Sequence, residues 1–120
     1  MPAIIDLHTH TTASDGADTP SELIAHAHQA GINVLGLTDH DTTSGWDEAS
    51  AALGGTYMTL IRGIELSAQV IDDIPGAIPR SVHLLGYLPD PEHPRLVEET
   101  VRIRGHRDDR LRLMVDKLAV

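Results

Sequence analysis

Short apolar runs alternate with amphipathic segments over residues 3–88 of this chain. Four of the runs have the length and composition of buried strands, namely Ala3–Leu7, Asn33–Thr38, Met58–Gln69 and Ser81–Leu88. The third run contains Gly63, so it predicts either one strand or two shorter ones. Strands that alternate with helices are typical of parallel β/α units, and the pattern therefore predicts an α/β fold.

Helix-start signals follow the first two predicted strands. Thr19–Glu22 (Thr-Pro-Ser-Glu) combines a capping box with proline at the first helical position. The helix that it opens is expected to run to about Ala30 and to end before Gly31. Ser44 is the expected N-cap of a second helix, which ends near Leu53.

Residues 94–120 form a charged amphipathic segment. Gly105 is a candidate break between two helices, and the apolar stripe consists of Leu111, Met114, Val115 and Leu118. A complete barrel of β/α units needs about 200 residues or more. We therefore expect residues 1–120 to be the N-terminal portion of one barrel domain, with residues 94–120 leading toward an insertion.

Composition narrows the class of protein. The 120 residues include no cysteine, so thiolate metal sites and disulfides are excluded, and a cytoplasmic location is expected. The formal net charge of −9 argues against stable binding of duplex nucleic acid. The apolar runs are too short to span a membrane, so no membrane partner is expected.

The most informative side chains are those of His8 and His10, at the end of the first apolar run. Strand residues alternate between two faces, so these two imidazoles are expected on the same face. Two adjacent imidazoles among buried residues are costly unless something binds them. Imidazoles combined with carboxylates are ligands for Zn, Mn or Fe.

Further candidates lie within the predicted strands or in the loops after them, toward the edge where ligands bind in β/α folds. They are Asp15, Asp39, His40, Asp41, Glu65 and His83. Each also has a structural interpretation. Asp39 and Asp41 are typical turn residues, Glu65 could face solvent, and His83 could be a hydrogen-bonded core histidine. The convergence of all of them on one edge favours a metal centre.

The remaining histidines are expected at the surface, and they are His26, His28, His93 and His106. The arginines of the last segment are open to two interpretations. Arg104, Arg107 and Arg110 could bind a second phosphate of a substrate, or they could form a solvated helix face.

Four motifs together resemble those of the polymerase and histidinol phosphatase (PHP) domain family, over residues 3–120. They are Asp6-Leu-His-Thr-His10 with Ser14-Asp-Gly16, Leu37-Thr-Asp-His-Asp-Thr42, Gly63-Ile-Glu-Leu-Ser67 and Val82-His-Leu-Leu-Gly-Tyr87. The Leu-Gly-Tyr ending and the following arginine-rich segment look most like a bacterial subgroup. That subgroup acts on nucleoside 3′,5′-bisphosphates and on the 5′ ends of short RNA.

The resemblance implies a distorted (β/α)7 TIM-like barrel with two or three divalent metal ions. The metal ligands that it implies are His8, His10, Asp15, His40, Glu65 and His83. The catalytic residues that it implies are Asp39, His40 and Glu65, with Asp39 orienting a water molecule or a ligand. The family completes its centre with a further histidine and a terminal Asp-x-His, and no Asp-x-His follows His83 here.

The leading hypothesis is therefore a hydrolase, a metal-dependent phosphoesterase in which a metal-activated hydroxide attacks phosphorus. Its expected substrates are phosphorylated small molecules, such as nucleoside bisphosphates, or short oligonucleotides. Within enzymes, a histidinol-phosphate phosphatase or a polymerase-associated exonuclease remains an alternative. From another class, the chain could be a non-catalytic metal-binding half-domain.

Overall fold

A computed structural model describes residues 1–119 and contains, within them, four strands and three helices. In chain order they are β1 (Ile5–Thr9), α1 (Pro20–Gln29), β2 (Val34–Leu37), α2 (Trp46–Ala51), β3 (Thr59–Val70), β4 (Arg80–Tyr87) and α3 (Pro94–Leu118). The strands form one sheet in the order β1-β2-β3-β4. The architecture is mixed α/β, as predicted. Val120, the last residue of the predicted amphipathic segment, lies outside the described residues.

The predicted capping box forms at the start of α1. The Thr19 hydroxyl accepts from the Glu22 backbone N–H, and the Glu22 carboxylate accepts from the Thr19 backbone N–H. Gly31 follows the helix with a φ of 80°, a conformation that glycine adopts without steric cost. Both ends of α1 therefore lie where the sequence predicts them.

The second helix begins later than predicted. Its N-cap is Gly45, and Ser44 does not cap it. The hydroxyl of Ser44 instead accepts a hydrogen bond from the Thr42 hydroxyl, and its backbone N–H donates to Thr42 Oγ1. The serine therefore closes a turn before the helix.

The sheet is parallel only in part. β1, β2 and β3 pair in parallel, whereas β3 and β4 are antiparallel, so the expectation of parallel units throughout is wrong for β4. Residues 71–79 connect β3 to β4 without a helix. A parallel neighbour needs a crossover of about a dozen residues or more, so this shorter loop returns the chain in the opposite direction.

β3 continues through Gly63 without a break. A Cβ atom on this glycine would lie 2.9 Å from the Gly86 carbonyl oxygen and 2.9 Å from a methyl carbon of Thr38. Gly63 therefore permits close packing and does not divide the strand.

The sheet is strongly curled. The Tyr87 hydroxyl, at the end of β4, donates to the Leu7 carbonyl oxygen of β1 at 2.8 Å. Two strands lie between β1 and β4, so in a flat sheet these strands would be about 14 Å apart. A tyrosine side chain cannot span that distance, so the outer strands must bend toward each other.

The helices α1 and α2 pack on one face of the sheet. The Trp46 indole N–H, from α2, donates to the Gly63 carbonyl oxygen at 2.9 Å. The buried apolar cluster consists of Ile24, Ala27, Leu35, Leu37, Trp46, Ala49 and Met58. β2 is the most buried strand, whereas the outer strands β1 and β4 keep several apolar side chains exposed.

The chain divides into two compact units, of which the first ends at Pro89 and the second begins at Asp90. The second unit contains α3, a single helix that continues through Gly105, so the predicted break is absent. A glycine within a helix costs only about 0.5–1 kcal/mol, which a long helix tolerates. Among the described residues, no helix is both long and apolar enough to cross a membrane.

We expect Gly36→Ala to destabilise the first unit. The added Cβ atom would lie 2.7 Å from the Leu7 carbonyl oxygen, so β1 or β2 must shift. The expected loss in the free energy of unfolding is about 1–3 kcal/mol, measured by urea denaturation. Gly54→Ala is the matched control, since no atom lies within 4 Å of its Cβ position. Equal urea midpoints for the two variants would contradict this account of β1–β2 packing.

Candidate metal centre

The end of β1 presents two imidazoles on the same side. His8 lies in β1, and His10 follows one residue after the strand ends. Their Nε2 atoms are 3.1 Å apart, and their rings meet edge to face with centroids 5.0 Å apart. The same-face arrangement predicted from strand alternation is therefore present.

Glu65 lies in the middle of β3, and it is only 4% exposed. Its Oε1 contacts His8 Nε2 and lies 3.5 Å from His10 Nε2. Its Oε2 lies 2.5 Å from His83 Nδ1 and 3.1 Å from His40 Nδ1. One buried carboxylate thus faces four imidazoles, and the alternative in which Glu65 faces solvent is wrong.

The imidazoles favour the ionised form of Glu65. Burial by itself raises the pKa of this carboxyl group, because it disfavours the charged form. Hydrogen bonds from His83 and His8, together with electrostatic attraction from His40 and His8, outweigh burial and hold the pKa of Glu65 below its ordinary value. The centre therefore contains a negative charge that can be shared between cations.

Asp15 and His40 extend the cluster. Asp15 lies in the loop after β1, and its carboxylate oxygens are 3.5 Å from His10 Nδ1 and 3.5 Å from His40 Nε2. The rings of His10 and His40 are stacked, with centroids 4.6 Å apart. His40 opposes Glu65 in an isolated parallel bridge beyond β2.

All six predicted ligands therefore meet in three groups of donor atoms, and within each group the atoms lie within 4.8 Å of one another. We name each group after the residue that it alone contains. They are the His8 group (His8, His10, Glu65), the Asp15 group (His10, Asp15, His40) and the His83 group (His40, Glu65, His83).

The donor chemistry fits divalent cations. Nδ1 of His10 and Nδ1 of His40 are buried and have no hydrogen-bond partner among the described residues. His40 Nδ1 is 3.1 Å from a Glu65 oxygen, but the two atoms are not aligned for a hydrogen bond. Buried nitrogens are rarely left unpaired, and imidazole with carboxylate suits Mn, Fe or Zn. The six residues thus have the composition and spacing of a metal centre.

Asp39 lies outside the three donor groups. It is 2% exposed, and its carboxylate accepts hydrogen bonds from the Thr11 backbone N–H and from the hydroxyls of Thr11 and Ser14. Its expected role in orienting a ligand can therefore operate through the loop that carries Asp15.

Asp41, which the sequence offers as a candidate ligand, belongs to none of the three donor groups; it is fully buried and bonds to β3 instead. Its carboxylate accepts from the backbone N–H and the hydroxyl of Ser67, each at 2.8 Å. The sequence signal that could have shown this role is the Asp-His-Asp triplet, with a carboxylate on each side of a ligand.

The other candidates belong to none of the three donor groups. Arg104, Arg107 and Arg110 belong to α3, in the second unit, so phosphate binding by Arg107 and Arg110 stays a prediction. The four histidines expected at the surface are exposed, namely His26, His28, His93 and His106.

Known proteins resemble the chain in sequence. A 5′-3′ exoribonuclease of Haemophilus influenzae is 38% identical over 113 residues, which cover 94% of this chain and 39% of that protein. A 3′,5′-nucleoside bisphosphate phosphatase of Chromobacterium violaceum is 39% identical over 112 residues, which cover 93% of this chain and 37% of that protein. The chain thus spans less than two fifths of the length of these relatives.

Solved structures also resemble the chain. A protein of Bifidobacterium adolescentis, whose proposed activity is that of a metal-dependent phosphoesterase, matches with a TM-score of 0.85 and 35% identity. An amidohydrolase from Chromobacterium violaceum, with bound sulfate and no metal, matches with a TM-score of 0.82 and 38% identity. The two matches cover 98% of this chain, and 38% and 39% of those chains.

The motifs, the donor geometry and these likenesses agree with a direct match to a protein family. Residues 6–113 match the PHP domain, and this range includes all six donors of the three groups. The chain belongs to the PHP domain family.

Proposed function

We propose that this chain is the metal-binding portion of a phosphoesterase that acts on nucleotides or on the 5′ ends of short RNA. The observation that carries the proposal is the position of Glu65, whose two carboxylate oxygens face the His8 group and the His83 group. A carboxylate can bind one cation through each oxygen, so these two groups would hold neighbouring cations, which is the arrangement that enzymes use to hold a phosphoryl group. The curled sheet supports the further proposal of a distorted barrel of seven β/α units.

The residues of the centre have separable roles in this proposal. Two or three ions held here, as Mn, Fe or Zn, would act as Lewis acids that polarise a phosphoryl oxygen and lower the pKa of a water molecule. Glu65 would supply one carboxylate oxygen to each of two donor groups. His40 has Nε2 beside Asp15 and Nδ1 beside Glu65, and as a neutral imidazole it would bind a cation through one of these nitrogens. Residues 1–120 contain no cysteine, so they supply no thiolate nucleophile.

The substrate class rests on the relatives. One of them is named as an exoribonuclease and another as a nucleoside bisphosphate phosphatase. Sulfate, which is bound in the Chromobacterium violaceum structure, is a tetrahedral anion like phosphate. We therefore propose a phosphorylated nucleotide or a short oligonucleotide as the substrate, with Arg107 and Arg110 of α3 as candidates for a second phosphate. A cytoplasmic location remains our prediction.

A non-catalytic metal-binding half-domain is the second candidate. It predicts metal binding without phosphate release, so binding and turnover need separate tests.

The first test is metal affinity. We expect Glu65→Gln to weaken Mn²⁺ binding by about 100-fold or more, since loss of even an indirect partner of a metal ligand typically costs about 10- to 100-fold. Isothermal titration calorimetry of the metal-free chain measures the affinity. Glu92→Gln removes the same charge from an exposed position and should bind as the unmodified chain does. Equal Mn²⁺ affinity for both variants would show that Glu65 is not a metal ligand.

The second test is turnover. With Mn²⁺ present, we expect phosphate release from adenosine 3′,5′-bisphosphate, and we expect His8→Ala to lower the rate by about 100-fold or more. The matched control is His28→Ala, which alters an exposed imidazole of α1. Unchanged turnover in His8→Ala would contradict the assignment of His8 as a metal ligand that turnover requires. Metal binding without turnover in the unmodified chain would favour the half-domain.

A further inference from the structure

Two buried carboxylates flank His40 in sequence, and they bond to different segments of the first unit. Asp39 bonds to the loop after β1, and Asp41 bonds to β3. His40 itself belongs to both the Asp15 group and the His83 group. Asp39 and Asp41 therefore connect the chain on either side of His40 to the loop after β1 and to β3. These two segments carry Asp15 and Glu65, which are further ligands of the two groups that contain His40.

Asp39 fixes the loop that carries Asp15. Its carboxylate accepts from Thr11 N at 2.6 Å, from Thr11 Oγ1 at 2.8 Å and from Ser14 Oγ at 2.8 Å. The Thr11 carbonyl oxygen accepts in turn from the backbone N–H groups of Ser14 and Gly16, at 3.0 and 2.8 Å. Asp15 lies between the last two residues, so its position relative to His40 depends on Asp39.

The same loop is tightly packed at Gly16. A Cβ atom there would lie 2.4 Å from the His10 carbonyl oxygen. The loop therefore returns against the backbone of His10, another ligand of the Asp15 group. The position of Asp15 therefore depends on the conformation of the loop after β1, which the hydrogen bonds to the Asp39 carboxylate hold in place.

Asp41 fixes the segment that carries Glu65. Its φ of 55° turns the chain away from the strand direction, and its backbone N–H donates to the Glu65 carbonyl oxygen at 3.0 Å. Its carboxylate then accepts from the backbone N–H and the hydroxyl of Ser67, each at 2.8 Å. The side chain thus takes the place of the next backbone acceptor in the parallel ladder.

Ser67 also relates this contact to His83. In the antiparallel pairing of β3 with β4, Ser67 is directly opposite His83. The hydrogen bonds from Ser67 to Asp41 therefore hold both remaining ligands of the His83 group, Glu65 and His83, in register with His40.

We propose that Asp39 and Asp41 are positioning residues that act on separate metal sites. Asp39 sets the geometry of the Asp15 group, and Asp41 sets the geometry of the His83 group. This inference rests on the proposed metal-binding function. A purely structural role would weaken the whole first unit, whereas the positioning role predicts a selective effect on one group.

The test is a Zn²⁺ titration of the metal-free chain, followed by NMR at two atoms. The imidazole nitrogens of His83 report on the His83 group, and the side-chain carboxyl carbon of Asp15 reports on the Asp15 group, since each residue belongs to one group only. We expect Asp41→Ala to raise the Zn²⁺ midpoint at His83 by about 10- to 100-fold and to leave the midpoint at Asp15 unchanged. Asp39→Ala should do the reverse. Asp73→Ala, at an exposed position, is the control and should change neither midpoint.

Milder variants keep the test decisive if an alanine variant does not fold. Ser67→Ala removes one hydroxyl donor to Asp41, and Ser14→Ala removes one hydroxyl donor to Asp39. Each should raise only the midpoint of its own group, by a smaller factor. Equal effects on both groups, or no effect on either, would overturn the positioning role. An unmodified chain in which neither atom responds to Zn²⁺ would overturn the metal centre itself.

Discussion

Burying an ionised carboxylate costs several kcal/mol unless partners compensate for the lost water, and Glu65 is almost completely buried. Its compensation comes from four imidazoles of three other strands or the residues just beyond them, and these are His8, His10, His40 and His83. The position of Glu65 in β3 thus determines where the end of β1, the residues after β2 and the middle of β4 must meet. The curl of the sheet and the antiparallel return of β4 both serve this convergence.

The ligands themselves are held by a second set of polar contacts. Asp39 and Asp41, the buried aspartates before and after His40, accept hydrogen bonds from backbone groups that would otherwise need water. Asp39 accepts from Thr11, and Asp41 accepts from Ser67. Such hydrogen bonds are strong because the acceptor is charged. They allow a centre built largely from loops and strand ends to be ordered within a small apolar core.

Much of this could be predicted from the sequence where the signal is local. The capping box before α1 and the His8–His10 alternation depend only on neighbouring residues, and the structure contains both. The direction of β4 depends on the length of a connection, and the uninterrupted course of β3 depends on what packs against Gly63. The role of Asp41 depends on Ser67, which lies 26 residues away in sequence. Periodicity contains no information about such distant contacts.

The exposed apolar side chains of the outer strands fit the proposed barrel. Ile5 of β1 and Leu84 of β4 are 58% and 57% exposed, on strands that each have one sheet neighbour in the described chain. In a barrel of seven β/α units, later strands would pair at these edges and cover such residues. The relatives, of which this chain spans less than two fifths, are long enough to supply such strands.

Six residues of this chain are proposed to assemble a metal centre. Elemental mass spectrometry of the purified chain, after dialysis against metal-free buffer, measures how many ions they hold. We predict two or more tightly held Mn, Fe or Zn ions per chain, since Glu65 can offer one oxygen to each of two donor groups. Metal content at background level would contradict the claim that these residues form the centre by themselves.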